Sequence, residues 1–486
     1  MRHLAAFAAL GTLAISLAAC RQEPEGAVKV IAIGGAPTLK DPALGSLAFP
    51  DQVLLTNAAE GLVRFDPTGN IVGGLAERWT VSDDGLSYIF RLAARNWPDG
   101  RKITADQVAR LLKRQLASRS KNGLKDNLGA IEDIVAMTDR VIEISLVAPR
   151  PDLLSFLAQP QMAILRNGQG TGPFRATPAP GGAIKLSREI VSPDDETTTK
   201  QELLLAGAGA EDAIRAFAGN QADLVLGGTF ADLPLAQRVK LPRNSLRFDP
   251  ASGLFGLVPL RSSGALDKAE VRHLLSEAIE RDTFVSALSV PGLSARATLL
   301  EPGLDGNPAP PAPAWTATPH ADRLTGLQAR AKRLLLKNPA PTIRVALPEG
   351  PGADFLLRLL QRDWGQLGFT VERAKSSAGA DFQLVDEVAP SSSAAWFVRR
   401  FRCTAVAVCD PKADELMDAA RQTPVPAQRY ALLAQAAALI DSGQLFIPVA
   451  APVRWSLVSD RIQNFAGNRY ARHTLTDLEV RPSAGD

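Results

Sequence analysis

At 486 residues the chain is longer than one hydrophobic core usually serves, so two or three subdomains are expected. Its 46% hydrophobic and 22% charged residues, with a formal net charge of only +3, are those of an ordinary globular protein. Basic residues are dispersed rather than gathered into a stripe, which excludes nucleic acid as an expected partner.

Arg2 and His3 form a short basic head, Leu4 to Leu17 an almost uninterrupted apolar run, and Leu17-Ala18-Ala19-Cys20 closes it with small residues. This is the layout of a secretory signal, expected over residues 1–19. The apolar run is shorter than the roughly twenty residues that cross a bilayer as a helix, and no later segment is long and uncharged enough to replace it. The mature chain is therefore not expected to span a membrane. A cysteine directly after Leu-Ala-Ala resembles the lipobox of bacterial lipoproteins, which implies that the Cys20 thiol carries a diacylglycerol and becomes the mature N-terminus. The alternative is an ordinary signal peptide that ends at a cysteine by coincidence. Residues 20–27 then read as a lipidated tether, polar and broken by Pro24 and Gly26. Several acyl chains, at about 0.8 kcal/mol per buried CH₂, anchor a soluble domain where one would not. Many Gram-negative lipoproteins carry Asp after the cysteine for retention at the inner membrane; Arg21 stands there and leaves outer-membrane placement open.

Val28 to Ile33 is a β-branched run ending in Gly34-Gly35, an opening strand. Tyr88 to Leu92 and Val141 to Val147 carry strand patterns, and between them Thr104 and Gln107 have the spacing of a capping box ahead of the apolar face Val108, Leu111, Leu112. A second helix is expected from Asp267, with Glu270 as its capping partner and Val271, Leu274, Leu275, Ala278 and Ile279 as its core stripe. Pro302 to Pro319 is a Pro-rich surface loop. Thr342 to Leu347, a helix over about 353–367 stopped by Gly368, and Thr370 to Glu372 read as a strand–helix–strand unit. The last long helix is expected over about 427–440. No internal repeats are visible.

Beyond Cys20 only Cys403 and Cys409 remain. An exported setting favours a disulfide closing a small loop, with a free pair or half of a metal site as the alternatives. The four histidines, His3, His273, His320 and His473, do not pair at a metal-ligand spacing, and there is no G-x-S-x-G elbow. Gly207-Ala208-Gly209 lacks the third glycine of a dinucleotide motif. No catalysis, metal or cofactor is expected.

Seven blocks in order resemble the family 5 extracellular solute-binding proteins, the peptide and nickel group serving ABC importers. They begin with LLTNAAEGLVRFDPTGNIVGGLAERWTVSDDGLSYIFRL and NWPDGRKITADQVARLLKR, followed by GTGPF at 170–174 and AFAGNQADLVLGG at 216–228. ALDKAEVRHLLSEAIERDTFV at 265–285, LLRLLQRDWGQLGFTVE and RYALLAQAAALIDSGQLFIPV complete the series. The resemblance implies an α/β, two-lobed periplasmic-binding-protein-like fold (type II, cluster C) with an extra subdomain inserted in the first lobe. Lobe I would comprise 28–60, 170–260 and 451–486, the inserted subdomain 61–169 and lobe II 261–450. The implied function is the substrate-binding component of an ABC importer in the periplasm or cell envelope. It would be a monomer held to the membrane through lipid alone, closing on a small peptide-like solute and delivering it to a permease and ATPase complex. The alternatives are an orphan lipoprotein receptor, or a binder of a non-peptide solute such as a metal chelate or a sugar.

In the family's peptide binders a carboxylate in a Trp-x-Ala-Asp-Tyr-x-Asp-Pro-like segment pairs with the peptide α-ammonium group. The matching stretch is VDEVAPSSSAAWFVRR, where that Asp falls at Pro390. Asp386 and Glu387 are the candidate substitutes, Ser391, Ser392 and Ser393 candidate hydrogen-bonding groups, and Arg399 and Arg400 candidate partners of a carboxylate or phosphate. Trp396 is a candidate stacking surface. The plainer alternatives are surface loop for the acids and serines, solvated helix face for the arginines, and packing for the tryptophan.

Overall fold

The strand Val28–Ile33 alternates buried and half-buried residues and lies at the centre of a seven-stranded sheet. It runs parallel to Thr198–Ala208 on one side and Leu224–Thr229 on the other. Beyond these the pairings are antiparallel: Arg454–Val458 and then Leu246–Phe248 at one edge, Ile184–Val191 and then Arg175–Pro178 at the other. The computed structural model describes residues 27–191, 197–261, 264–335 and 342–480; the expected signal peptide and the lipidation site Cys20 lie outside the described residues. None of the described helices is long and apolar enough to cross a membrane.

A second, five-stranded sheet has the order Thr370–Arg373, Thr342–Ala346, Phe382–Val388, Gly253–Pro259, Ile447–Ala450. Thr342–Ala346 is parallel to both neighbours, and the helix Pro351–Gly365 makes the crossover to Thr370–Arg373. That helix buries Leu356, Leu360 and Trp364 against the sheet, and the Trp364 indole N–H donates to the Leu275 carbonyl at 2.9 Å. Gly368, at φ +94°, turns the chain from helix to strand in a conformation that favours glycine.

The chain passes between the two sheets twice, from Phe248 to Gly253 and from Ala450 to Arg454. Gly253–Pro259 therefore belongs with the second sheet, although the expected boundary at 260 left it in the first lobe. All seven residues of GLFGLVP are buried, so its sequence suits either sheet and only its pairing decides. Around these crossings one core serves both sheets: Val225, Trp455 and Leu457 of the first pack with Phe255, Leu257 and Ile343 of the second. Gly228 makes this possible, because a Cβ there would meet the Trp455 ring at 2.0 Å.

Between two segments of the first sheet the chain folds a separate four-stranded antiparallel sheet in the order Ala76–Val81, Ser87–Leu92, Val141–Leu146, Ile131–Thr138. The helix Ala105–Leu116 covers it with Val108 and Leu112 against Phe90, Ile142 and Ile144. Thr104 accepts from the Gln107 N–H at 3.4 Å, but the Gln107 side chain does not return to the cap. Its Oε1 accepts from the Trp97 indole at 2.9 Å, a tertiary bond in place of the second half of the capping box. The helix expected from Asp267 is Ala269–Ala278, preceded by a 3₁₀ turn and with Lys268 as an N-cap that makes no side-chain bond.

The second sheet is backed on its far side by Ala394–Arg399, Pro411–Gln422 and Pro426–Ser442, which share a core with Leu254 and Val385. Cys403 and Cys409 form a disulfide between the first two of these helices, with Cα atoms 5.1 Å apart. Asp441, in the last turn of the third, accepts from the Leu299 N–H at 3.0 Å, and burial pushes its carboxyl up to about 7 from 3.8. The folded chain thus holds a proton between pH 4 and 7 that the unfolded chain releases. The associated stability is present below pH 4 and is lost as pH rises through 7, an effect of the order of 4 kcal/mol over the window. Asp441→Asn keeps an acceptor for Leu299 and removes the titration. Urea unfolding at pH 5 and pH 8 should show the variant gaining on the wild type at the higher pH; equal slopes would contradict this.

Candidate functional site

A cavity of about 920 Å³ lies where the two sheets and the inserted subdomain face one another. The first lobe contributes Phe49, Gln52, Thr229, Arg454, Tyr470 and Arg472, the second Glu387, Pro390, Trp396, Arg399, Arg400 and Arg402. Asp126, Asn127, Gln159 and Gln161 of the inserted subdomain complete the wall. The volume falls toward the upper end of the roughly 300–1,000 Å³ typical of small-ligand sites.

On the first lobe the wall is made by a tight loop, 468–473. The buried Asn468 side chain holds it from within, accepting from the Tyr470 N–H at 3.1 Å and the Arg472 N–H at 3.2 Å and donating to the Arg472 carbonyl at 2.7 Å. Ala471 between them has a φ of +49°. Tyr470 stacks on Phe65 at 4.5 Å, and the Arg472 guanidinium is hydrogen-bonded to Gln52. Burial, and then the like charge of Arg454, lower the Arg472 guanidinium to about 10, which leaves it protonated at neutral pH. His473 is bonded to Asp249 at 3.1 Å beneath the same loop, His273 to the Ser442 carbonyl and His320 to the Ala278 carbonyl. Among the described residues no group of His, Cys, Asp and Glu is arranged to hold a metal ion.

On the second lobe the eight residues singled out in sequence separate into two sets. Glu387, Trp396, Arg399 and Arg400 line the cavity; Asp386, Ser391, Ser392 and Ser393 do not. Asp386 points to the first lobe, where its Oδ1 is 2.8 Å from Arg454 Nη1 while Arg454 Nη2 donates to its carbonyl at 3.0 Å. Burial raises the Asp386 carboxyl above its ordinary range, and Arg454 opposes that shift. Ser391 donates to Asp152 of the inserted subdomain at 3.3 Å, and Ser393 caps the helix Ala394–Arg399 by accepting from the Ala395 N–H at 3.3 Å. Glu387 is paired with Arg400 at 3.1 Å. Pro390, where the resemblance would put the ammonium-binding carboxylate, offers only a carbonyl, and the buried Gln159 amide takes it at 3.0 Å. Trp396 lines the cavity and also packs between the cores of the inserted subdomain and the second lobe. Sequence reading missed Gln52, Gln159, Arg454, Tyr470 and Arg472; the basic cluster NRYARH at 468–473 was the one local signal for the last two.

Two lobes joined by two crossings, with a partly open cavity of mixed polar and apolar lining between them, define a ligand-closing binding protein. A family model described as bacterial extracellular solute-binding proteins, family 5 Middle, matches residues 70–396, and the chain belongs to that family. The "Di/tripeptide-binding protein 1" of Pseudomonas aeruginosa is 23% identical, with 90% of this chain and 92% of that one covered. Haemophilus influenzae OppA, solved in complex with RPPGFSPFR, superposes with a TM-score of 0.79 at 15% identity over 94% of this chain and 99% of that one. The Escherichia coli murein tripeptide binding protein MppA gives 0.78 at 16% identity over 94% and 99%. The likeness to the solved structures establishes the two-lobed fold.

Because Asp386 is buried against Arg454, its expected role is mechanical. Arg454→Met leaves that carboxylate without its partner and should cost about 3–5 kcal/mol in urea unfolding, with Asp386→Leu added to it restoring most of the loss. A double variant no more stable than the single one would contradict this pairing.

Proposed function

We propose that this chain is the capture subunit of an ABC importer for peptide-like solutes, a receptor and not an enzyme. It works as a monomer in the periplasm or cell envelope, held to a membrane by lipid on Cys20. The observation that carries the reading is the cavity walled by both lobes and by the inserted subdomain, with all connections between the lobes confined to 249–252 and 451–453. A ligand in that position touches both lobes at once, so its binding energy goes to the closed arrangement and is unavailable to the open one. The permease then reads closure as occupancy. The di/tripeptide binder of Pseudomonas aeruginosa, related along nine-tenths of this chain, supports a short peptide as the solute.

Three contacts at the edge of the cavity are assigned in this reading to the closed arrangement. Gln159 to the Pro390 carbonyl, Ser391 to Asp152, and Arg429 to the Pro149 carbonyl at 3.2 Å all join the inserted subdomain to the second lobe. They latch the inserted subdomain to the second lobe, the first two beside the first crossing, where the Ala389 N–H donates to the Ser252 carbonyl at 2.8 Å. Each is modest, about 0.5–1.5 kcal/mol net for an ordinary hydrogen bond, so the latch favours closure without preventing release.

Mixed di- to pentapeptides should raise the melting temperature and shrink the radius of gyration of the full mature chain. A ligand at a hundredfold excess over its Kd stabilises by about 2.7 kcal/mol. Gln159→Ala should weaken peptide binding severalfold through loss of the closed state, although that amide reaches no further than the Pro390 carbonyl. Absence of both the thermal shift and the compaction with every peptide length would overturn the peptide reading.

A further inference from the structure

We propose that the cavity grips its solute by carboxylate groups from both lobes and offers no charged partner to an α-ammonium group, so that it selects net-anionic solutes. The inference rests on the cavity being the ligand site, and it names the chemistry of what enters.

Five arginines line the cavity against two carboxylates, Asp126 and Glu387. Three of the five are already neutralised: Arg400 by Glu387 at 3.1 Å, Arg402 by Asp418 at 2.9 Å and Arg454 by Asp386 at 2.8 Å. The other two are not. The Arg399 guanidinium makes no hydrogen bond or ion pair with any described residue, although Asp126 on the facing subdomain acts on it through space. Arg472 is bonded to a neutral amide, that of Gln52, and its buried Nε has no partner. A guanidinium that is partly removed from water without a counter-charge is unfavourable, and a carboxylate meeting its fork of donors bidentately relieves that. Arg399 stands on the second lobe and Arg472 on the first, so an anion reaching both draws the lobes together.

A cationic group finds no equivalent reception. Glu387 is committed to Arg400 and Asp386 to Arg454, while Asp152 and Asp305 line a smaller adjoining cavity and are taken by donors there, Asp152 by the Ser391 hydroxyl and Asp305 by the Ala394 N–H. Asp126 is exposed at the rim and closest in its electrostatic effect to Arg399. Where the resemblance places the ammonium-binding acid stands Pro390, its carbonyl occupied by Gln159. The chemistry that fits is therefore an organic acid: an acidic or N-blocked peptide, or a carboxylate without peptide bonds.

The test is calorimetric titration of the full mature chain with two sets of probes. The first set is Glu-Glu-Ala, Lys-Lys-Ala, and trialanine as free acid, C-terminal amide and N-acetyl derivative; the second is tricarballylate and glucarate as acids without peptide bonds. Amidation of trialanine should weaken binding by at least about tenfold and N-acetylation by less than about threefold, with Glu-Glu-Ala preferred to Lys-Lys-Ala. Arg399→Gln and Arg472→Gln should each level these preferences, while Arg399→Lys and Arg472→Lys, which keep the charge, retain the order of preference with reduced affinity. Thermal melts of the four variants separate loss of recognition from loss of fold. If N-acetylation costs as much as amidation, or Lys-Lys-Ala binds more tightly, the inference falls while the peptide reading stands. If the second set binds and no tripeptide does, the peptide reading falls and the inference stands. Binding of neither set overturns both.

Discussion

The contact on which the rest depends is that of the Arg454 guanidinium with Asp386. Arg454 is the first residue of its strand after the second crossing, paired with Thr229 in the first sheet, and it reaches back to the carboxylate and the carbonyl of a residue in the second. It thereby sets the two lobes at the point where they are joined by chain. It also bears on the charge of the cavity, because Arg454 lines the wall and is neutralised by an acid that does not. With Glu387 given to Arg400 in the same way, the wall is left positive from both sides. A buried pair of this kind adds little net stability over a well-packed apolar pair, but breaking it on one side is costly, so its geometry is strongly held.

The inserted subdomain gives the cavity its third wall and its latch. Its core is separate from those of the lobes and contains Trp97, Val108 and Met162, while Trp396 of the second lobe packs against it. Gln159, immediately before the 3₁₀ turn Pro160–Met162, is aimed at Pro390 by that packing. The cavity wall is carried by the helices Phe49–Ala58 and Ala394–Arg399 and by the Asn468-held loop 468–473, which rest on the sheets and their cores. The two lobes are joined by two short connections without regular structure, the arrangement on which hinge closure generally depends.

What was legible in the sequence was local. The opening strand, the strand–helix–strand unit around Trp364, the helix Ala105–Leu116 and the long helix Pro426–Ser442 each carry a period or a cap within a dozen residues. The order of motifs along the chain was enough to indicate the family. What was not legible depended on partners far away in the chain. Gly253–Pro259 is uniformly buried and declares no sheet; Gln107 chose Trp97 over its own cap; Asp386 read as a candidate ligand group because its partner lies 68 residues on. Arg472 has no periodic or capping signature, and its place in the site comes from the Asn468 turn and from Gln52 in the helix Phe49–Ala58, 420 residues earlier. Ser391 and Ser393 illustrate the converse: serines near a site are as easily claimed by a neighbouring acid or a helix N-terminus as by a ligand.

The central claim, that the lobes enclose a small solute, is tested most directly by native mass spectrometry of the full mature chain purified without denaturation. The structure predicts a one-to-one adduct of low mass that leaves on collisional activation and is recovered as carboxylate-bearing compounds. A chain that sprays only at its bare mass, and stays so after incubation with the acids and peptides described above, would contradict it.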